Sequence, residues 1–338
     1  MGIGAAKVIN TIRDACQGRH YTANGFEFVG AFVFSMLTVY VIVPWLIPRL
    51  MAKGIVGKDL NKPGQPDVAE MGGIAAVVGF FAGVSALIAL DGVKSINLLF
   101  ASLSAVMGAA FVGMMDDVFD LRQRQKAFLP FILALPLGTV VDQGIAIPHI
   151  AVLNLGPWMI IAAAFALTCA ANAANMLEGF NGLGTGLGII MAFTLLMLSV
   201  MHNRLDGMYL LTPLLGALVA FLWFNKYPAV IFPGDTMMLF MGATLASAGI
   251  LSGLHVQTVF IFIPMIVEFF LKLRGHFKAE NYASKSDNGF LEYHGRIESL
   301  THIFMKRRKT TENGLVYRIW AIEIVVCLIV LTVDFALL

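Results

Sequence analysis

Charge is what this chain has least of. Asp, Glu, Lys and Arg make up 13% of its 338 residues, hydrophobic residues make up 58%, and the mean hydropathy is +0.81. Soluble globular domains carry about 25% charged residues, so composition alone excludes a water-soluble fold. Cysteine is scarce too. Cys16, Cys169 and Cys327 stand far apart, without the paired spacing of a disulfide framework or a zinc site. The first 24 residues lack a compact apolar core followed by a small-residue cleavage site, so no removable signal peptide is read, and the first apolar segment is expected to act as an uncleaved anchor. Met1-Gly2 opens like a myristoylation signal, but Ala6 stands where that signal needs Ser or Thr. No internal repeat splits the chain into two related halves, as it does in many transporters. The net charge of +2 carries no signature of nucleic-acid binding.

What the chain has in abundance is apolar length. A helix crossing the hydrocarbon takes roughly 20 apolar residues, and ten segments qualify as candidates: 27–47, 71–91, 95–115, 128–143, 157–176, 183–202, 208–224, 232–252, 257–273 and 317–337. These runs are continuously apolar rather than alternating with period two, which excludes a spanning β-barrel. The expected fold is an all-α, polytopic integral membrane protein with about ten transmembrane helices. It forms a single membrane-embedded catalytic domain over 1–338, with a cytoplasmic loop region at 274–316. Positive charge orients it. With the N-terminus outside, only Lys7, Arg13, Arg19, Lys94 and Arg204 of the 23 Lys and Arg face outward. The positive-inside rule then places the remaining loops in the cytoplasm and both termini outside.

Those cytoplasmic loops hold nearly all the polar chemistry, in five islands. The third segment ends in Asp116-Asp117-Val118-Phe119-Asp120, followed by Arg122, Arg124 and Lys126. On a helix Asp116 and Asp120 share a face, and Asp117 is turned away by about 100°. Facing carboxylates at a membrane border suit a divalent cation and the cations after them suit a phosphate, although ion pairing at a solvated helix end explains the same cluster. Carboxylates touching hydrocarbon are costly unless employed. The fifth segment runs into Asn172, Asn175, Gly179 and Asn181, then Gly184, Gly186 and Gly188. One helical turn brings the two asparagines together as neutral oxygen ligands that suit magnesium, while the glycines read best as close helix packing. Asp235 follows Pro233-Gly234 at the start of the eighth segment, an N-cap position that also suits a metal ligand.

Two islands are looser. Gly57 to Gly64 and Val68 to Gly73 form a turn, an acid and paired glycines at a helix start, fit for a sugar or a base or for an ordinary loop. The region 274–316 is long enough for a functional lid, with His276, Lys278, Lys285, His294, Arg296 and His302 as donors to a diphosphate. Ile297, Leu300, Ile303 and Phe304 fall at helical spacing before the basic run Lys306 to Lys309, the pattern of a helix lying on an anionic leaflet.

In order and spacing, Gly57 to Lys62, Ala69 to Gly73, Gly113 to Lys126, Asn172 to Gly186 and Asn225 to Thr236 resemble the polyprenyl-phosphate N-acetylhexosamine-1-phosphate transferases. The likeness is strongest to the eukaryotic and archaeal branch that uses UDP-GlcNAc and dolichyl phosphate. The resemblance implies transfer of GlcNAc-1-phosphate to a polyprenyl phosphate with release of UMP, the first lipid-linked step of glycan assembly. It implies Mg2+ as cofactor, with Mn2+ as an alternative, and a homodimer by family analogy. The membrane would be the plasma membrane in a prokaryote and the endoplasmic reticulum in a eukaryote. Carried onto matching positions, it makes Asn175 and Asp235 the metal ligands, Lys126 the holder of the lipid phosphate, and Asp116 and Asp117 the acidic pair required for activity. Asn172, Gly179 and Asn181 become nucleotide-sugar contacts, and Leu60, Glu70 and Phe232 the uridine pocket. Lys278, His294 and Arg296 are expected to complete the donor site. Here the chain departs from its relatives, because it has neither the eukaryotic Pro-x-Arg-His-Arg-x-Pro motif nor the bacterial histidine cluster.

The implied chemistry joins two anions, so positive charge on the diphosphate and on the attacker is its first need. A phosphomonoester has a second pKa of about 6 and is largely ionised at neutral pH, so a general base is not compulsory. Asp116 and Asp117 are expected chiefly to organise metal, water and Lys126. Two rivals remain open at this stage. Asp116 to Asp120 has the Asp-Asp-x-x-Asp form of a prenyltransferase, which needs a second aspartate-rich segment where this chain has only Asp235. A transporter would need polar groups deep in the bundle, whereas the outward halves of the segments are nearly bare.

Overall fold

The computed structural model describes residues 25–90, 92–147, 150–283, 285–287, 289–307 and 309–337. Met1-Gly2, Ala6, Lys7, Arg13, Cys16, Arg19 and Arg308 lie outside the described residues.

Every one of the ten apolar segments is helical. The helices are α1 (Phe26–Ala52), α2 (Gly73–Ala89), α3 (Ile96–Phe119), α4 (Gln123–Val140), α5 (Met159–Met176), α6 (Leu183–Met201), α7 (Leu205–Asn225), α8 (Gly234–Leu251), the pair α9 (His255–Ile261) and α10 (Ile263–Arg274), and α12 (Glu312–Leu337), with the short α11 (Leu300–Arg307) before the last. Seven of them, α1, α3, α5 to α8 and α12, are long and apolar enough to cross a membrane. The pair α9–α10, bent by 59°, qualifies as an eighth span. Helix α2 is shorter, with 17 residues, and α4 carries Pro130 and Pro136 within its length. Three two-stranded antiparallel hairpins, β1–β2 (Val56–Lys58, Asp67–Ala69), β3–β4 (Gly144–Ile147, Ala151–Asn154) and β5–β6 (Lys285–Asp287, Phe290–Glu292), sit in the connections. The protein is an all-α polytopic membrane protein.

The centre of the bundle is α8, in which every residue from Thr236 to Ile250 is buried. Helices α2, α3, α5 and α7 all pack on it. Small side chains let them close in, the usual device where lipid removes the hydrophobic drive between helices. A Cβ on Gly242 would lie 2.7 Å from the Ala171 Cα of α5. The outermost helices α1 and α12 turn Phe34, Tyr40, Trp45, Tyr317, Val325 and Leu328 outward, which suits contact with lipid.

The expected packing role of the glycines that follow the fifth segment is what the structure shows. Gly186 receives the Trp320 ring of α12, Gly188 the Met241 side chain of α8, and Gly184 the carboxylate of Glu178. This packing brings the start of α6, the start of α8 and the end of α5 to the same end of the bundle.

Candidate active site

The site is assembled at that end, and Asp117 does the assembling. Sequence reasoning placed Asp235 at the N-cap of α8. In the structure Pro233 holds the cap position and Asp235 lies in the first turn. The capping comes from another helix: Asp117 on α3 accepts the Asp235 amide at 2.7 Å, the Thr236 amide at 3.0 Å and the Thr236 hydroxyl at 2.6 Å. A carboxylate there satisfies the orphan donors of a helix start and complements its dipole. The Asp235 side chain is thereby released from capping.

What it meets instead is Lys126. The Lys126 ammonium donates to Asp235 at 2.7 Å and pairs at the same time with Asp116. Asp116 is held in turn by the Leu121 amide at 2.8 Å, and the Asn175 side chain hydrogen-bonds Asp235 from α5. Thus all five residues expected at the reaction centre, Asp116, Asp117, Lys126, Asn175 and Asp235, converge from four helices. The expected pairing of Asp116 with Asp120 does not occur. Helix α3 stops at Phe119, and Asp120 turns left-handed at φ 50° and is exposed to solvent. The carboxylates brought to the cluster are therefore Asp116 and Asp117, and the shared Asp116–Asp120 face of an Asp-Asp-x-x-Asp motif does not form.

A lysine ammonium seated between two carboxylates from distant helices marks a place that attracts cations. Among the described residues no group of three or more His, Cys, Asp or Glu is arranged to hold a metal. One carboxylate, Asp235, and the Asn175 side-chain amide would be the protein's share here. That small share fits magnesium, which keeps several positions for water and substrate phosphate.

Beside this centre lie the residues expected to receive the nucleotide. The β1–β2 hairpin docks on the α7–α8 connection: Phe232 N–H donates to Ala69 O at 2.7 Å and Gly72 N–H to Phe232 O at 2.9 Å. Gly57 is what lets Glu70 and Phe232 approach, since a Cβ there would lie 3.1 Å from the Glu70 carboxylate and from the Phe232 ring. Leu60, on the same hairpin, is exposed. Burial, reinforced by Asp117, Asp235 and Asp120, holds the Glu70 carboxyl above the usual carboxylate range. Gly179 and Asn181 reach this region, and both are already bonded. Asn61 donates to Gly179 O at 3.0 Å, and Asn181 donates its amide to Asp59 at 3.1 Å and its backbone N–H to Glu312 at 2.8 Å. Asn172 donates to Thr168 O within α5 at 2.9 Å and to Lys126 O of α4 at 3.5 Å.

The region 274–316 differs most from expectation. Lys278, His294 and Arg296 are exposed, and His294 pairs with Glu292 at 3.7 Å. What touches the site is the neighbouring segment Asn281-Tyr282-Ala283. Asn281 and Tyr282 lie against Gly179, and Ala283 N–H donates to Asn61 at 3.3 Å. Burial and the nearby carboxylates of Glu178, Glu280, Glu70 and Asp59 push the Tyr282 phenol up to about 12, so it remains a neutral donor at any working pH. No charge pattern announced these residues, because their role is backbone capture and shape. Helix α11 packs inward through Thr301, His302 and Met305, and Lys306 bonds Gly295 O at 3.0 Å.

Glu178 is a further residue that sequence reasoning passed over. Burial pushes its carboxyl from 4.5 to about 7, against the backbone N–H groups of Gly184 and Gly179 that favour the charged form. As pH rises, the unfolded chain gives up this proton first, so the folded state loses ground between about pH 4.5 and 7 and no further above. Glu178→Gln removes that loss. Its gain in stability over the native chain should be near zero at pH 4 and about 3 kcal/mol at most by pH 8. Melting curves of the two proteins across that range check it, and an offset independent of pH would contradict it.

Residues 98–253 match glycosyl transferase family 4. Among similar proteins is one from Saccharolobus solfataricus, provisionally named UDP-N-acetylglucosamine–dolichyl-phosphate N-acetylglucosaminephosphotransferase, which is 38% identical over 88% of this chain and 94% of its own length. The Schizosaccharomyces pombe UDP-N-acetylglucosamine–dolichyl-phosphate N-acetylglucosaminephosphotransferase is 30% identical over 72% of this chain and 66% of its own. The phospho-N-acetylmuramoyl-pentapeptide-transferase of Rippkaea orientalis is 32% identical over 70% and 67%.

Proposed function

The chain belongs to glycosyl transferase family 4, and from that premise we propose that it transfers GlcNAc-1-phosphate from UDP-GlcNAc to a dolichyl-type polyprenyl phosphate. The products are polyprenyl-diphosphate-GlcNAc and UMP. The names of its archaeal and yeast relatives support this donor and acceptor. The observation that carries the reading is the Lys126 ammonium seated between Asp116 and Asp235, with Asn175 beside them.

The reaction needs a phosphomonoester to attack the β-phosphorus of a diphosphate. Lys126 gives the acceptor phosphate its counter-charge and orients it in line. Asp235 and Asn175 would hold Mg2+, or Mn2+ in its place, which when bound neutralises the donor diphosphate. Asp116 orients Lys126, and Asp117 acts through the start of α8 rather than on substrate. Leu60, Glu70 and Phe232 line the uridine side, with Gly179 and Asn181 at its edge and Tyr282 as a wall. Because the acceptor is already ionised near neutral pH, none of these carboxylates has to take a proton. The distribution of Lys and Arg supports a cytoplasmic site, with all ten helical segments crossing and both termini outside.

Purified protein supplied with Mg2+, polyprenyl phosphate and UDP-GlcNAc should release UMP, and chelation should stop it. UDP-GalNAc and UDP-muramoyl donors should react more slowly. No UMP from any donor overturns the proposal, and faster turnover of a muramoyl donor reassigns the sugar.

A further inference from the structure

Helix α5 ends at Met176, one residue past Asn175, and its last carbonyl is gathered in by protein. Lys272 on α10 donates to Met176 O at 2.6 Å. Asn281 donates to the same oxygen at 2.9 Å and to Glu178 O at 2.5 Å. The Lys272 side chain is 13% exposed and that of Glu268, one turn earlier and 3.8 Å away, is fully buried. Glu268 then reaches across to α11, where it accepts the Leu300 amide at 2.7 Å and the Ser299 hydroxyl at 3.1 Å. Thr301 closes the ring by donating to Asn281 O at 2.8 Å.

An ion pair at the edge of a span is costly, and such groups persist where they serve something. This one serves a helix terminus. The final carbonyls of a helix lack partners and carry its negative end, so a lysine there both satisfies and neutralises them. The terminus in question carries Asn175, whose side chain hydrogen-bonds Asp235. None of the ring's own bonds reaches Lys126, Asp116 or Asp235. Its influence on the centre must pass through the setting of α5.

We propose that Lys272, backed by Glu268, is a positioning residue that fixes the α5 terminus so that Asn175 presents its oxygen to the cation, and that it makes this setting depend on how Asn281 and the start of α11 are seated. The inference rests on the reading of Asn175 and Asp235 as the cation site. Neighbours of ligands that act in this way typically cost 10- to 100-fold in metal affinity when removed.

The test is Mn2+ binding to the full chain in nanodiscs with UDP present, followed by electron paramagnetic resonance, a measurement that needs no turnover. Lys272→Met should weaken Mn2+ binding by about 10- to 100-fold and raise the Mg2+ needed for half-maximal UMP release in step. The KM for polyprenyl phosphate should stay within about twofold, since uniform binding of that substrate is untouched. Lys272→Arg should recover most of the affinity, because a guanidinium can still bridge Glu268 and the Met176 carbonyl. Asn281→Ala, which removes the second donor to that carbonyl, should weaken Mn2+ binding less, and it carries the test if Lys272→Met fails to fold. Unchanged Mn2+ affinity in both Lys272→Met and Asn281→Ala, whatever happens to melting temperature or kcat, overturns the inference. A native chain that binds no Mn2+ overturns it as well. A native chain that binds Mn2+ but releases no UMP refutes the proposed reaction alone.

Discussion

Asp235→Ala is expected to lower UMP release by about a thousandfold or more, the scale seen when a principal electrostatic group is taken from a buried reaction centre. The reason lies in how few groups the centre has. Among the described residues Asp235 is one of two carboxylates paired with the Lys126 ammonium, and it also hydrogen-bonds the Asn175 side chain. Without it Lys126 would collapse onto Asp116, the proposed cation would lose one of its two protein ligands, and the two anionic substrates would meet with little to offset their repulsion. Asp235→Asn should fall nearly as far, because it keeps the volume and discards the charge. The fold should survive both changes. The start of α8 is capped by Asp117 through backbone amides and Thr236, and none of those bonds uses the Asp235 side chain. Asp120→Ala is the internal contrast. It removes an equally acidic residue four positions after Asp116, but an exposed one beyond the helix end, and should leave turnover within about twofold. Rates from UMP release, with melting temperatures alongside, check the series. Residual activity above a tenth in Asp235→Ala would show that the centre has been misplaced.

That contrast marks where the sequence was readable. The ten helical segments could be read directly because hydrocarbon leaves the backbone no option but internal hydrogen bonding, so apolar length translates into helix with little interference. Their contacts could not. Asp116 was grouped with Asp120 by extending helical periodicity past Phe119, and the error comes from the left-handed turn at Asp120, which no composition signal announced. Asp235 was assigned to its own helix cap on local grounds, and the structure gives that duty to Asp117, more than a hundred residues earlier in the chain. In the region 274–316 charge points to Lys278, His294 and Arg296. The residues that touch the site, Asn281 and Tyr282, are neutral, and they are selected by the fit against Gly179. Charge is legible in a sequence because it is costly in a membrane. Shape complementarity leaves no such mark.

Gly113→Ala should cost about a hundredfold in turnover through one methyl group that touches no substrate. Gly113 lies on α3, three residues before Asp116, where α3 crosses the first turn of α8. A Cβ there would stand 2.7 Å from the Asp235 carbonyl carbon and 2.7 Å from the Thr236 Cα. Both obstacles are backbone at the core of the bundle, so neither can swing aside, and the two helices must part. The displacement falls between Asp116 and Asp117 on one side and Asp235 on the other, where Lys126 bridges the gap and Asp117 caps the turn. A shift of about 1 Å in such an arrangement is enough for a loss of that size, and overpacking adds about 1–3 kcal/mol of destabilisation. Gly108 on the same helix separates the two effects. An added Cβ there stands 2.7 Å from the Leu133 Cβ of α4, so it is α4 and not α8 that must give way, more than a helical turn from the reacting groups. Gly108→Ala should therefore lower melting temperature modestly and leave kcat close to native, while Gly113→Ala lowers both. Equal kcat in the two variants would mean that the spacing of α3 and α8 does not set the chemistry, and that the bridge at Lys126 tolerates more slack than its geometry implies.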